Sequence, residues 1–522
     1  METYFLFIVS LCISALLLPI LTSKPKKKLP PGPVAFPIIS RYLWHCKSFP
    51  ELEPILRKLH AKHGPIVSLP IGNSFTIFVA SGSLAHQALI QNATIFADRP
   101  IPHAIHKITS SSQHDINSAP YGRTWRLLRR NLTSETSPLK LCPCPQVGLG
   151  NPHSLQQSSN TGDGIVRVVN DFHFAILCLL VLMCYGDKLD EKMVKEIEIS
   201  RQRVSAGFLR FRKLTLWPAL GKILFRKQWE EFLQLRKNQE NVLISLIRAR
   251  QQLKQEMHSK QNEADSGGEK ESGVCVTAYI NTLLDLELPE EKRELNDGEL
   301  VSLCSEFLNA GTHTTSPTLQ WIMANLVKYP HIQTKLYKEI SSVMGEREDE
   351  VTEEDLQKML YLKAVILEGL RRHPPGHFGV PHAVTEDVTL GGYDIPKNTA
   401  VFFMAAEIAC NPEVWEDPLE FKPERFLSGG GKGVELFDVT GTKEIKMMPF
   451  GAGRRICPGY GLGIFHLEYF VANLIWRFEW TAVGGDEVDL SESPLSALMP
   501  VVMKNPLKAH ISPRVKQGED TH

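Results

Sequence analysis

The run Phe450-Gly451-Ala452-Gly453-Arg454-Arg455-Ile456-Cys457-Pro458-Gly459 constrains this chain more than any other stretch. It sets one cysteine among glycines, just before a helical pattern from Leu462 to Trp476. Glycine lets backbone approach a flat ligand with no Cβ in the way. Backbone N–H groups at a helix start lower a thiol pKa and hold a thiolate. Arg455 is placed to meet a carboxylate. The run therefore describes a cradle for an anionic, metal-centred group with Cys457 as metal ligand. The ordinary alternative for a lone cysteine is an inert, buried thiol.

The rest of the chain bounds what such a cradle can serve. Its 522 residues carry 58 Lys+Arg against 58 Asp+Glu, a balance that argues against a nucleic-acid partner. With 43% hydrophobic and 22% charged residues it is globular. Ten cysteines are too dilute for a disulfide scaffold. Tyr4 to Leu21 has no charged side chain, and Lys24, Lys26, Lys27 and Lys28 follow at once. A bilayer core needs about 20 apolar residues as helix, and flanking positive charge stays cytosolic. We expect residues 1–23 to be a single-pass transmembrane anchor and 24–33, with Pro30-Pro31-Gly32-Pro33, a basic, proline-rich hinge. Residues 34–522 then form one large unit facing the cytosol. A cleaved signal would carry its charge before the apolar run, and Ser23-Lys24-Pro25 is a poor cleavage site. On this topology the glycosylation patterns at Asn92 and Asn131 are chance matches.

Along the body, a short helix from Phe49 leads to strands at Ile66–Leu69 and Thr76–Val79. Helical periodicity dominates beyond Ser83, and Val194 to Arg250 is largely helical. Gln251 to Gly273 is polar and reads as a flexible surface connection. Asn296 opens a long helix, with Glu299 placed to complete a capping box. Leu300, Leu303, Cys304, Phe307, Leu308 and Gly311 share one face of it. Strand-like pieces return between Val380 and Val401. The fold class is mainly α with a small β portion. One stretch, Leu139 to Asn160, has no periodicity; it holds Cys142-Pro143-Cys144-Pro145 and reads as an irregular loop. Its cysteines and His153 fall short of the four ligands that a structural zinc site needs.

The cysteine run resembles the haem-binding signature of the cytochrome P450 superfamily, with Phe450, Gly453, Arg455, Cys457 and Gly459 at matching spacing. The resemblance implies the cytochrome P450 fold and haem b (heme, iron protoporphyrin IX) with Cys457 as axial ligand. Glu368 and Arg371 stand three apart on a helix, and Arg425 lies in Phe421-Lys422-Pro423-Glu424-Arg425-Phe426; their family counterparts form a buried charge cluster that locks the haem loop. Trp125-Arg126-Leu127-Leu128-Arg129 resembles the propionate-binding helix, with Trp125 and Arg129 toward the haem, and His382 stands where the family places another propionate partner. The anchor and hinge are similar to those of plant microsomal members, which implies an endoplasmic reticulum membrane. The function implied is a monooxygenase that inserts one atom of O2 into an apolar small organic substrate. No Gly-x-Gly-x-x-Gly phosphate loop precedes a helix, so the electrons imply a separate NADPH-cytochrome P450 reductase, docked near Arg126, Arg130 and Arg454. Ile101, Ile105, Ile108, Phe208 and Phe211 fall in segments that line the family's pocket.

Three departures stand out. Ala310-Gly311-Thr312-His313-Thr314-Thr315 resembles the helix segment above the haem, where an acid relays protons and an alcohol orders dioxygen and water. Thr314 keeps the alcohol; His313 replaces the acid. Pro317 removes the N–H that would bond the His313 carbonyl. Leu139 to Asn160 breaks the family pattern, as a local reading-frame slip or a misplaced exon edge would. Two alternatives follow: a haem-thiolate isomerase or dehydratase acting on a hydroperoxide, which needs no relay, and a catalytically impaired haem-binding protein.

Overall fold

Two apolar helices meet at the centre, and the sequence explains both. The computed structural model describes residues 28–33, 44, 47–71, 74–101, 104–135, 165–211, 223–264, 278–347, 349–427, 437–485, 487–493 and 500–514. The anchor expected over 1–23, the start of the hinge and the stretch 139–160 lie outside them.

The helices used below are α1 (Phe49–His63), α2 (Arg123–Glu135), α3 (Val168–Tyr185), α4 (Glu191–Arg210), α5 (Arg226–Ala264), α6 (Asp297–Lys328), α7 (Pro330–Met344), α8 (Leu360–Arg372) and α9 (Tyr460–Arg477). The capping box at the start of α6 is formed: Asn296 Oδ1 accepts the Glu299 N–H at 3.0 Å and Glu299 Oε2 accepts the Asn296 N–H at 2.8 Å. The helix continues as one element through Pro317. Past its first turns, which hold Asn170, Asp171 and His173, helix α3 is apolar all round; its mean hydropathy is 2.0, and 67% of it is buried inside the protein. An all-round apolar helix suits a core or a membrane; here it packs on α6. The approach is close at Gly311, where a Cβ would stand 2.6 Å from Leu180 Cδ1. Leucine, methionine and tryptophan from α6, α7, α8 and α9 complete this core.

The β portion is small. Strands β1 (Ile66–Ile71) and β2 (Ser74–Val79) pair antiparallel. Later in the chain come β3 (Ile165–Arg167), β4 (Glu287–Leu288), β5 (Arg293–Glu294), β6 (His382–Ala383), β7 (Val388–Leu390), β8 (Tyr393–Ile395), β9 (Ala400–Phe403), β10 (Phe478–Ala482) and β11 (Lys508–Pro513). The main sheet has the order β1-β2-β9-β6, with β9 parallel to β2 and antiparallel to β6. Its faces are filled by Phe78 and Phe402, stacked at 5.4 Å, and by Phe378. A second sheet has the order β10-β11-β3, and two hairpins pair β4 with β5 and β7 with β8.

One expectation changes, and the hinge gains a detail. The Gln251–Gly273 connection is helical as far as Ala264; its Gln, Lys, Glu and Met residues are good helix formers, and no glycine interrupts them before Gly267. The described part of the hinge, residues 28–33, is docked on the body. The Ser68 N–H donates to Pro31 O at 2.8 Å and Ser68 Oγ to Pro30 O at 2.7 Å. Lys28 and Asp394 exchange two further bonds, N–H to Oδ2 at 2.9 Å and N–H to carbonyl at 2.8 Å. Proline lacks a donor but keeps its carbonyl, so such a segment binds as an acceptor strip.

Candidate functional site

The cysteine loop is held by backbone before any ligand is considered. The Cys457 N–H donates to Phe450 O at 2.9 Å, the Gly451 N–H to Met448 O at 3.0 Å and the Ile456 N–H to Gly453 O at 3.1 Å. Gly451 and Gly453 have φ of 71° and 70°, a region costly for residues with a Cβ. A Cβ on Gly453 would also stand 2.0 Å from Leu89 O. The glycine is thus demanded by neighbouring backbone, a different reason from approach to a flat ligand. Around Gly459 no atom lies within 4 Å of a would-be Cβ. Cys457 is a free cysteine on the wall of a cavity of about 560 Å³, a size usual for small-molecule sites. Burial pushes its thiol up; the Gly459 N–H and Arg129 pull the other way. The helix start alone therefore does not hold a thiolate here, and metal coordination would have to complete the deprotonation.

Helix α6 forms the facing wall with Ala310, Gly311, His313, Thr314 and Thr315. Thr314 Oγ1 donates to Ala310 O at 2.6 Å. His313 Nε2 is buried with no hydrogen-bond partner. Burial, Arg201 and His173 push the imidazole down to about 4, so His313 is neutral at pH 7. It supplies no fixed charge of either sign.

The rim of the cavity is basic. Arg455 donates to the carbonyls of Ala97 at 2.6 Å, Ile116 at 3.2 Å and Ala119 at 2.6 Å. Its guanidinium lies 4.3 Å from the Trp125 ring centre. Trp125 Nε1 donates to Ile116 O at 3.0 Å, and Arg129 Nη2 to Ile456 O at 2.5 Å. Arg129, Arg455 and His382 line the cavity; Trp125 stands behind Arg455, with its indole N–H spent on backbone. His382 Nδ1 is 2.7 Å from Phe96 O. That bond makes Nδ1 the donor, so a neutral His382 offers Nε2 only as an acceptor. To meet a carboxylate the ring must gain a proton, which burial and Arg99 oppose by pushing it down to about 3.

Beneath the loop, Glu368 and Arg371 are fully buried. Arg371 grips Glu368 through two bonds of 2.7 and 2.8 Å and donates to the carbonyls of Ala409 and Pro418. Arg425 Nε reaches Glu368 Oε1 at 3.1 Å, and the Lys422 N–H donates to the same oxygen at 2.8 Å. Trp415 lies under both guanidiniums and donates to Lys446 O, which ties the cluster to the strand of chain entering the cysteine loop.

Sequence reasoning missed two groups. Arg99, on the cavity wall, donates to the carbonyls of Asn117, Val380 and Pro381, and burial and Arg455 pull it down to about 9. Glu306 on α6 accepts the N–H groups of Ile116 at 2.9 Å and Asn117 at 2.6 Å. Burial and Asp115 push its carboxyl up to about 8. Glu306 stands seven residues before His313, on the same face of the helix, but among the many polar residues of α6 no local pattern singles it out. The pocket expectation also changes. Ile105 and Phe211 pack with Phe232 in a separate cluster, Ile108 packs against it, and Ile101 is 80% exposed. The side chain of Phe208 lies outside the description. The cavity wall instead mixes Leu180, Val204, Phe307 and Phe378 with Ser205, Ser302 and Glu306.

These residues fit a haem. A free cysteine stands at the cavity wall beside an open glycine. Burial lowers all three arginines of the rim, and nearby charge adds to it at Arg99, from Arg455 and Arg129, and at Arg455, from Arg129; anionic propionates would relieve that strain.

The comparisons agree. The cytochrome P450 family model matches residues 30–509. The chain is 47% identical to cytochrome P450 89A9 of Arabidopsis thaliana over 504 residues, 94% of each protein. It is 30% identical to flavonoid 3'-monooxygenase of Arabidopsis thaliana, over 99% of this chain and 98% of that one. It is 30% identical to costunolide synthase of Cichorium intybus, over 93% and 94%. Among solved structures, a zebra fish cytochrome P450 with abiraterone superposes with a TM-score of 0.67 at 20% identity, over 88% of this chain and 99% of that one. From the cysteine loop to the whole-chain match, the conclusion is the same: this chain belongs to the cytochrome P450 family, as a plant-type haem-thiolate monooxygenase.

Proposed function

We propose that this monooxygenase is held in the endoplasmic reticulum membrane by residues 1–23, with its catalytic unit in the cytosol. It draws electrons from NADPH through a separate NADPH-cytochrome P450 reductase. The observation that carries the reading is the convergence on one cavity of Cys457, the Thr314 turn of α6 and a basic rim. The haem, when bound, supplies the dioxygen chemistry, which inserts one oxygen atom into substrate and sends the other to water. Cys457 is the iron ligand. Arg129 and Arg455 receive the propionates, with Trp125 backing Arg455; His382, its Nδ1–H spent on Phe96 O, borders them as a neutral ring. Phe450, Gly453 and Gly459 shape the loop.

The chain's own groups set the rest. Thr314 holds its hydroxyl at the cavity wall, poised on Ala310 O, where it orders water and hands on a proton. His313 takes the place of the acid, as a neutral relay. Glu306 pins the loop at Ile116 and Asn117 over the cavity. The Glu368–Arg371–Arg425 cluster acts at a distance, by fixing the chain that enters the cysteine loop. The substrate is a small organic molecule whose apolar body meets Leu180, Phe307 and Phe378. The polar wall at Ser205, Ser302 and Glu306 favours one that also carries hydrogen-bonding groups, a revision of a purely apolar ligand.

The test joins a spectrum to turnover. Purified protein, reduced and treated with carbon monoxide, is expected to give the thiolate-type haem band, and Cys457→Ala to lose it. With reductase, oxygen and NADPH consumption should fall together in that variant. A colourless wild-type protein, or pigment that survives Cys457→Ala unchanged, would overturn the reading. One observation favours a second reading: His313 carries no fixed charge, which a hydroperoxide isomerase or dehydratase tolerates. Turnover of a lipid hydroperoxide without NADPH would select it. A normal spectrum with neither turnover would mark an impaired haem-binding protein.

A further inference from the structure

Behind the cavity wall at His313 stand groups that the site has not absorbed. His173, on α3, has its ring centre 5.5 Å from that of His313, with the rings tilted by 47°. Glu198, on α4, brings Oε1 to 3.1 Å from His173 Nε2, within ion-pair distance but without the angle of a formed hydrogen bond. The Glu198 side chain is 21% exposed and accepts a bond from Gln202 Nε2, so it meets solvent. At the inner end, His313 lines the cavity with Nε2 unpartnered. Arg201, also on α4, pins this arrangement. Its Nε donates to Asn309 Oδ1 at 2.7 Å and its Nη2 to Leu308 O at 3.2 Å, which ties α4 to the stretch of α6 leading into His313.

We propose that Glu198, His173 and His313 form a proton path from solvent to the cavity, three exchanging groups in line across α4, α3 and α6. The path rests on the monooxygenase reading of the cavity and deepens it. Two histidine rings in contact are ordinarily packing. Here the line has a carboxylate at its wet end and, at its other end, a cavity-lining ring whose buried Nε2 has no partner, which packing does not require.

The transfers balance without a change of oxidation state. Glu198 takes a proton from water, which leaves hydroxide to be neutralised by bulk solvent, and passes it to a ring nitrogen of His173. An N–H forms there, and the proton on the other ring nitrogen leaves for His313, whose ring centre is 5.5 Å away, by way of a bridging water. His313 repeats the exchange and releases a proton at the cavity, where the Thr314 hydroxyl stands. Each ring ends in its other tautomer, and a ring flip resets it. The charged and titratable groups facing the pair are Glu198 and Arg201. Burial and Arg201 hold both rings below the ordinary histidine value; neutral rings are the state that tautomer exchange uses.

The test uses the full-length, haem-loaded protein, labelled with 15N in histidine, reduced and bound to carbon monoxide so that it is diamagnetic. NMR reads the solvent exchange of the His313 ring N–H, identified by its loss in His313→Gln. His173→Phe is expected to slow that exchange at least ten-fold. Glu198→Gln, a change at a partly exposed position that leaves the helices alone, should slow it several-fold. With reductase, both should lower NADPH oxidation and raise the share of oxygen released as hydrogen peroxide. A normal carbon monoxide band with His313 exchange unchanged in both variants would overturn the path alone. Absence of the band in wild type would overturn the monooxygenase reading and the path with it.

Discussion

Two clusters that flank the cavity are built on opposite rules. Below the cysteine loop, Glu368 is saturated: its oxygens take Arg371 twice, Arg425 once and the Lys422 N–H. Across the cavity, on and behind α6, Ser305 Oγ, His313 Nε2 and Arg201 Nη1 are buried without partners. A saturated cluster is set by folding and has one arrangement. Unspent polar atoms cost stability wherever they are buried, and they persist where a ligand, a water or a proton uses them. Resemblance to the family is close at the saturated cluster, while two of the three departures, His313 and Pro317, fall on α6.

The contrast can be broken at its strongest point first. Cys457→Ala is expected to abolish the thiolate band in the reduced carbon monoxide spectrum and all NADPH-dependent turnover. Glu368→Gln should follow, because it leaves two buried guanidiniums short of a counter-charge. Loss of one member of a buried ion pair costs about 3–5 kcal/mol, read as a lower urea midpoint together with poor haem retention. His313→Gln, on the open side, should leave the same midpoint within about 1 kcal/mol. If the two variants destabilise equally, the contrast fails.

His313→Asp tests function rather than folding. It returns a carboxyl to the turn beside Arg201 and should cut the peroxide released per NADPH several-fold; no change would count against a relay role for this position. Next comes a pH effect. His377 bridges Glu53 at 2.8 Å and Glu492 at 3.2 Å, and despite burial those carboxylates hold it up at about 9. A raised histidine stabilises fully below its unfolded value of about 6.5, and that contribution is lost as pH rises through 9. Glu306, raised to about 8, tilts stability in the same direction, so the slope of the melting temperature between pH 6.5 and 9 should shrink in His377→Gln without vanishing. The smallest effect is expected from Pro317→Ala. It restores a donor for the His313 carbonyl and should add about 1 kcal/mol. A loss of stability would show that the proline is already accommodated.

What could be read in the sequence was local in spacing. The loop around Cys457, the Asn296–Glu299 capping box and the strands at Ile66 and Thr76 are all patterns within a few residues, and the structure forms each element. What could not be read was pairing at long range. His173 meets His313 and Glu306 meets Ile116 only because α3 and α6 pack closely at Gly311 and the loop before α2 folds over α6. No short-range rule places Arg99 on a cavity wall. The glycine argument shows the same divide: the need for glycine at Gly453 was legible, but its cause, the carbonyl of Leu89, lies hundreds of residues away.

The docked segment from Lys28 to Pro33 has a mechanical consequence. Its carbonyls are tied to Ser68, its amino end to Asp394, and a side chain at Gly32 would strike Ser68 O at 2.1 Å. Tension on the amino terminus would therefore load the β1 edge and the β7–β8 hairpin directly, as a bracket bolted at two points does.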